Sequence, residues 1–148
     1  MFGRVKNGEM ALNAQGNIVL ECWNNLPNHY PQVELDGVIV MPNHVHGIVF
    51  IANRVVVDTV DAVGGGLKPP PTTLRHGLPE IIRAFKTFSS RKINEMNPEG
   101  IRFKWQRNYH DHIIRTNEAL EKIREYIVNN PAEWERDSEN IHDEACSI

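Results

Sequence analysis

The sequence predicts an α+β fold in which helices pack on an antiparallel sheet, and three observations predict it. Runs of alternating hydrophobicity are interleaved with runs whose apolar residues recur every three to four positions. Prolines and glycines separate these runs. The resulting order is hairpin, helix, two strands, helix, strand, helix, with no internal repeat.

Each element has a local cause. Phe2–Val5 and Glu9–Leu12 flank Lys6-Asn7-Gly8, a tight hairpin turn. Asn13 is a natural N-cap for a helix over about 14–25, with Ile18, Cys22 and Trp23 on its inner side. Pro27 and Pro31 end it. Glu34–Met41 and His44–Ala52 form a strand pair joined at Pro42-Asn43. Residues 53–78 read as a loop, because Gly64-Gly65-Gly66 and Pro69-Pro70-Pro71 exclude regular structure.

Pro79 suits the first turn of a helix that runs to about Asn94. Its apolar side is Ile81, Ile82, Phe85, Phe88 and Ile93. Asn97-Pro98-Glu99-Gly100 is a turn, and Phe103–Ile114 reads as a long strand. Asn117 caps a last helix over about 118–130, which Pro131 stops. Residues 1–135 make one domain and 136–148 an acidic tail.

Composition sets outer bounds. A chain of 148 residues, 41% hydrophobic and 24% charged, can bury a core of its own. No apolar stretch nears the roughly 20 residues of a membrane span, and no signal peptide is visible. Two cysteines, Cys22 and Cys146, do not make a disulfide framework, which points to a reducing cytoplasm. The net charge of −3 hides a pattern: residues 1–67 carry −3, residues 68–115 carry +6, and residues 116–148 carry −6. A basic middle can present a phosphate-binding face that the average conceals.

Two constellations carry chemistry. His44 and His46 lie one residue apart, so on a strand both imidazoles face the same side, as the first two ligands of a divalent metal would. Ile48 and Phe50 share that face, whereas Val45, Gly47, Val49 and Ile51 share the other. The bland alternative is a pair of satisfied polar residues. A nucleotide-hydrolase signature of three alternating histidines is incomplete, because Ile48 takes the third place.

The second constellation is Tyr126-Ile127-Val128-Asn129-Asn130-Pro131. Leu120, Ile123 and Ile127 form a packing stripe, with Asn130 close to it and Tyr126 at its edge. Tyr126 and Asn130 are i and i+4, neighbours on one face. On residues alone, Tyr126 reads equally as a core residue with its hydroxyl at the rim, and Asn130 as a helix-end cap.

These residues carry a resemblance. The chain resembles the single-tyrosine HUH transposases, and most of all the REP-associated tyrosine transposases of bacteria. The matching segments are Leu-Asn-Ala-Gln-Gly-Asn-Ile-Val (12–19), Val-Met-Pro-Asn-His-Val-His-Gly-Ile-Val (40–49), Ile-Ile-Arg-Ala-Phe-Lys-Thr-Phe (81–88), Trp-Gln-Arg-Asn-Tyr-His-Asp-His-Ile-Ile-Arg (105–115) and Tyr-Ile-Val-Asn-Asn-Pro (126–131). They span the chain up to about Trp134.

The resemblance implies a ferredoxin-like HUH endonuclease fold. It implies that His44, His46 and Asn130 hold Mg²⁺ or Mn²⁺ and that Tyr126 is the nucleophile. The substrate it implies is single-stranded DNA bearing a hairpin, such as a REP-like palindrome, cleaved through a 5′-phosphotyrosine link. Lys122, one turn before Tyr126, is a candidate for helping the phenol ionise, against the plain reading of a solvated charge. Arg83, Lys86, Arg91 and Lys92 are candidate phosphate contacts on the basic helix. Tyr109 is the competing nucleophile, but it lacks the i+4 ligand partner that Tyr126 has and is assigned a structural or DNA-contact role.

The resemblance also sets expectations about the whole chain. Family members carry one more apolar strand upstream of Phe2-Gly3, so the first strand is expected to be missing and its neighbours' ladder groups left for another chain to fill. Members that move their own elements act as homodimers, whereas REP-associated ones need not. The location implied is the bacterial cytoplasm, with no membrane partner. Two other readings stand beside this one: an inactive nucleic-acid-binding remnant, and a metal-dependent nucleotide hydrolase that adds His110 and His112 to His44 and His46.

Overall fold

A computed structural model describes residues 1–52, 77–96 and 98–134. The expected loop over 53–78 lies almost wholly outside the described residues, and the acidic tail 136–148 lies wholly outside them.

The chain opens with a hairpin, β1 (Gly3–Lys6) and β2 (Glu9–Leu12), paired from Gly3↔Leu12 to Lys6↔Glu9. Its two-residue turn has positive φ at both Asn7 (55°) and Gly8 (76°), the conformation that matches strand twist in tight hairpins. Helix α1 (Ala14–Asn24) follows, with the Asn13 side chain accepting the Gly16 N–H at 2.9 Å as a cap. Its buried stripe is Gly16, Val19, Cys22 and Trp23, so Val19 takes the place expected of Ile18. Pro27 does more than end this helix: it sits in the first turn of a short second one, α2 (Leu26–His29).

Strands β3 (Val33–Val40) and β4 (Val45–Ile51) form the central antiparallel ribbon. The register slips between Leu35 and Val38, where Asp36 and Gly37 bulge. One face of the ribbon meets α1, where Trp23 lies directly on Gly47. The other face meets α4 (Asn117–Glu133), whose Ile127 reaches Gly37 beside Ile48. The ribbon is therefore covered on both sides. Beyond α1 lies α3 (Leu78–Met96), and Trp23 meets Phe85 edge to face at 5.3 Å between ring centres.

Three expectations need correction. The single sheet is two separate two-stranded ladders, β1–β2 and β3–β4, linked where the Phe2 N–H donates to the Pro42 carbonyl at 2.7 Å. The strand expected over Phe103–Ile114 forms no ladder, because side chains of α3 satisfy this segment instead. Asn94 both donates to the Phe103 carbonyl (3.0 Å) and accepts its N–H (2.7 Å), as a neighbouring strand would. The Trp105 indole N–H donates to Ser89 Oγ at 2.9 Å, and Lys86 Nζ donates to the Gln106 and Asn108 carbonyls. Ser89, fully buried, thus occupies the stripe position expected of Phe88, which is 39% exposed.

The third correction concerns α4. Thr116 is its cap, accepting the Ala119 N–H at 3.2 Å, so Asn117 is the first helical residue. Pro131 does not stop the helix. Its missing N–H falls in the last turn, and the chain closes with the Trp134 N–H on the Pro131 carbonyl.

Helix α4 is fastened to the bulge by charge. Arg124 Nε donates to both carboxylate oxygens of Asp36 (3.1 and 3.2 Å), while its Nη1 donates to Glu121. The Arg124 hydrogen bonds, helped by the Gly37 N–H, hold the Asp36 carboxyl below the usual carboxylate range. A depressed carboxylate contributes stability above its unfolded value, near 3.9, and loses it as pH falls through its folded value. Asp36→Asn is therefore expected to unfold at lower urea than the wild type at pH 7, with the gap closing below about pH 4. Urea midpoints at the two pH values check this.

Candidate active site

His44 and His46 lie side by side, although His44, expected as the first residue of the strand, falls just before β4. His46 is within β4 opposite Ile39, and His44 precedes it, its carbonyl accepting the Met41 N–H at 2.8 Å to close the turn. The two Nε2 atoms are 3.0 Å apart, with the rings edge to face at 4.5 Å. His44 Nδ1 lies 2.7 Å from Asn43 Oδ1. A carbonyl oxygen there requires Nδ1–H as donor, which leaves the Nε2 lone pair turned toward His46.

Helix α4 brings the second constellation onto this pair. The Tyr126 ring meets His46 edge to face at 5.3 Å, and the Trp134 ring tilts over His44 at 5.8 Å. Tyr126, Asn130 and Trp134 are i, i+4 and i+8 on one helix, so Asn130 falls between the two ring contacts. Asn130 is not an end cap. It is 3% exposed, and its Oδ1 is buried with no hydrogen-bond partner among the described residues.

An orphaned buried carbonyl oxygen costs stability unless something else fills its lone pairs. Two imidazole nitrogens 3.0 Å apart have the spacing of neighbouring ligands around a cation at about 2.1 Å. The donor set, two nitrogens and one amide oxygen, thus fits a divalent metal. Tyr126 is 48% exposed, so its ring is anchored on His46 while its edge reaches solvent. Trp134 is the member that sequence reasoning missed. Its i+8 spacing was visible, but a helix stopped at Pro131 would not have carried it to the site.

The other candidates lie elsewhere. Lys122 is exposed one turn before Tyr126. On α3, Arg83 pairs loosely with Glu80 (3.9 Å) and Arg91 with Glu95 (3.6 Å), while Lys92 donates to Glu21 at 2.8 Å. The Lys86 ammonium is held by two backbone carbonyls, and burial lowers it from the ordinary lysine value. His110 and His112 are exposed. Among the described residues no three His, Cys, Asp or Glu side chains gather around one point, so the expected four-histidine hydrolase centre does not assemble. Among the described residues, no helix is long and apolar enough to cross a membrane.

Comparison with known proteins bears on the family of the chain. Residues 71–130, which include α3, Tyr126 and Asn130, match the family described as "Transposase IS200 like". A Haemophilus influenzae protein, described as an uncharacterized protein, is 39% identical over 149 residues, spanning 93% of this chain and 76% of its own length. No solved structure matches. On these grounds the chain belongs to the IS200-like transposase family, whose members cleave DNA.

Proposed function

We propose that the protein nicks and rejoins single-stranded, hairpin-bearing DNA through a covalent bond to Tyr126, with His44, His46 and Asn130 holding a divalent cation. The observation that carries this reading is the orphaned Asn130 Oδ1, set on the helix face between Tyr126 on His46 and Trp134 on His44. A bound Mg²⁺ or Mn²⁺ would polarise the scissile phosphate and offset the charge that builds on its oxygens.

The chain's own residues do the rest. Tyr126 Oη forms a bond to phosphorus as the bond from phosphorus to the 3′ oxygen breaks. The phenol gives up one proton and the departing 3′ oxygen takes one, leaving a 5′-phosphotyrosine and a 3′-OH. The phosphodiester is exchanged rather than hydrolysed, so a 3′-OH can attack the phosphotyrosine and rejoin a strand without ATP. Lys122, one turn away, would favour the phenolate, since an ordinary tyrosine ionises only near pH 10. Arg83 and Arg91 are the α3 cations freest to meet phosphates; Lys86 and Lys92 already hold carbonyls and a carboxylate. REP-like palindromes in the bacterial cytoplasm are the substrate this reading favours, with a homodimer as one working form.

The test is an adduct. Incubation with single-stranded hairpin oligonucleotides and Mg²⁺ or Mn²⁺ is expected to give a protein–DNA species that survives SDS and is absent when EDTA replaces the metal. DNA binding with no adduct under either metal would overturn the reading in favour of an idle DNA-binding remnant.

A further inference from the structure

A groove of about 540 Å³ runs between α3 and the segment that α3 tethers, and it shares no residue with the His–Tyr–Asn site. Arg83, Lys86, Arg102, Lys104 and Arg107 line it together with Tyr109, and among the described residues its lining includes no carboxylate. Lys86 forms part of the wall rather than a free charge, with Nζ on two backbone carbonyls and 5.9 Å from the centre of the Tyr109 ring.

The tether explains the groove. Contacts pair Asn94 with Phe103, Ser89 with Trp105, and Lys86 with Gln106 and Asn108, so the segment runs antiparallel along the helix. Phe103 and Trp105 turn inward onto Phe2, with ring centres at 5.5 and 5.0 Å. Arg102 and Lys104, on either side of Phe103, are exposed, and so is Arg107. In an extended chain, residues two apart sit about 7 Å from each other. That spacing suits successive phosphates of an extended strand. None of the three arginine or lysine side chains makes an ion pair among the described residues.

We propose that this groove is a binding track for single-stranded DNA, in which Arg102, Lys104 and Arg107 meet phosphates and the half-buried Tyr109 ring stacks on a base. Cationic side chains around an aromatic platform are the means by which proteins hold single strands without reading sequence. The track rests on the single-stranded DNA substrate of the proposed function and not on its cleavage step. It adds a second place where substrate is held, apart from the place where it is cut.

Fluorescence anisotropy of a labelled single-stranded hairpin oligonucleotide on the full chain tests this. The triple variant Arg102→Ala, Lys104→Ala, Arg107→Ala is expected to bind at least about tenfold more weakly, with the salt dependence of log affinity shallower by about 2. Tyr109→Ala is expected to bind about tenfold more weakly with the salt dependence unchanged, and Tyr109→Phe to bind as the wild type does. The altered side chains are exposed or half-exposed, and matching circular dichroism and melting curves establish that each variant folds. Adduct formation by the wild type is scored in parallel. An adduct with unweakened binding by the triple variant overturns the track and leaves the cleavage reading standing. Weakened binding without any wild-type adduct supports the track and overturns the cleavage reading. Absence of wild-type binding, or equal competition by a duplex of the same sequence, overturns the track.

Discussion

Tyr126→Phe is expected to abolish the covalent adduct and to lower strand cleavage by at least about a thousandfold. The substitution removes one oxygen and leaves the ring, so the edge-to-face contact with His46 at 5.3 Å persists and the helix keeps its seat. Oligonucleotide affinity is therefore expected to stay within about threefold of wild type, since the ring and its packing remain. Tyr109→Phe is expected to retain the adduct, because Tyr109 lies beside Lys86 in the basic groove, away from the histidine pair. Denaturing gels of both variants with labelled DNA decide the matter. An adduct that persists in Tyr126→Phe and disappears in Tyr109→Phe would make Tyr109 the nucleophile and overturn the assignment to Tyr126.

The second large effect is on stability. A Cβ on Gly47 would stand 2.3 Å from Cζ2 of Trp23 and within 2.9 Å of two further indole atoms. That indole is buried and backed by Phe85, so it has nowhere to retreat. Overpacking of this kind costs about 2–3 kcal/mol, so Gly47→Ala is expected to lower the melting temperature by about 6–10 °C. The consequence reaches the site, because Gly47 follows His46 directly and any outward shift of β4 moves that imidazole. Adduct yield is thus expected to fall at temperatures where the variant is still folded. A melting temperature within about a degree of wild type would show that α1 yields instead.

Which candidate side chains are neighbours was legible because it follows from spacing, whereas their roles came from the resemblance. Alternation along a strand puts His44 and His46 on one side, and four-residue spacing on a helix puts Tyr126 beside Asn130. Caps and turns were equally local: Asn13 needs only the Gly16 amide, and Asn7-Gly8 needs only its own backbone. What failed depended on partners distant in sequence. Phe103 and Trp105 alternate as strand residues do, but alternation records which side chains face the core and not what satisfies the backbone. That role fell to Asn94 and Lys86, side chains of a helix standing in for a neighbouring strand. Pro131 reads as a stop from its own chemistry, and only its burial in the last turn shows why the helix continues to Trp134.

In the proposed reaction, carrying the nucleophile and the amide ligand on one helix makes α4 a ruler. Four residues set Tyr126 and Asn130 about 6 Å apart along its axis and almost in line around it. Tilting or sliding the whole helix leaves that interval untouched and changes only its distance from the histidines. Altering the count does the reverse. One residue inserted between positions 126 and 130 would swing the tyrosine about 100° away from the amide while leaving composition, charge and helix propensity nearly as they were. The interval between these two residues is thus written in the number of residues that separate them.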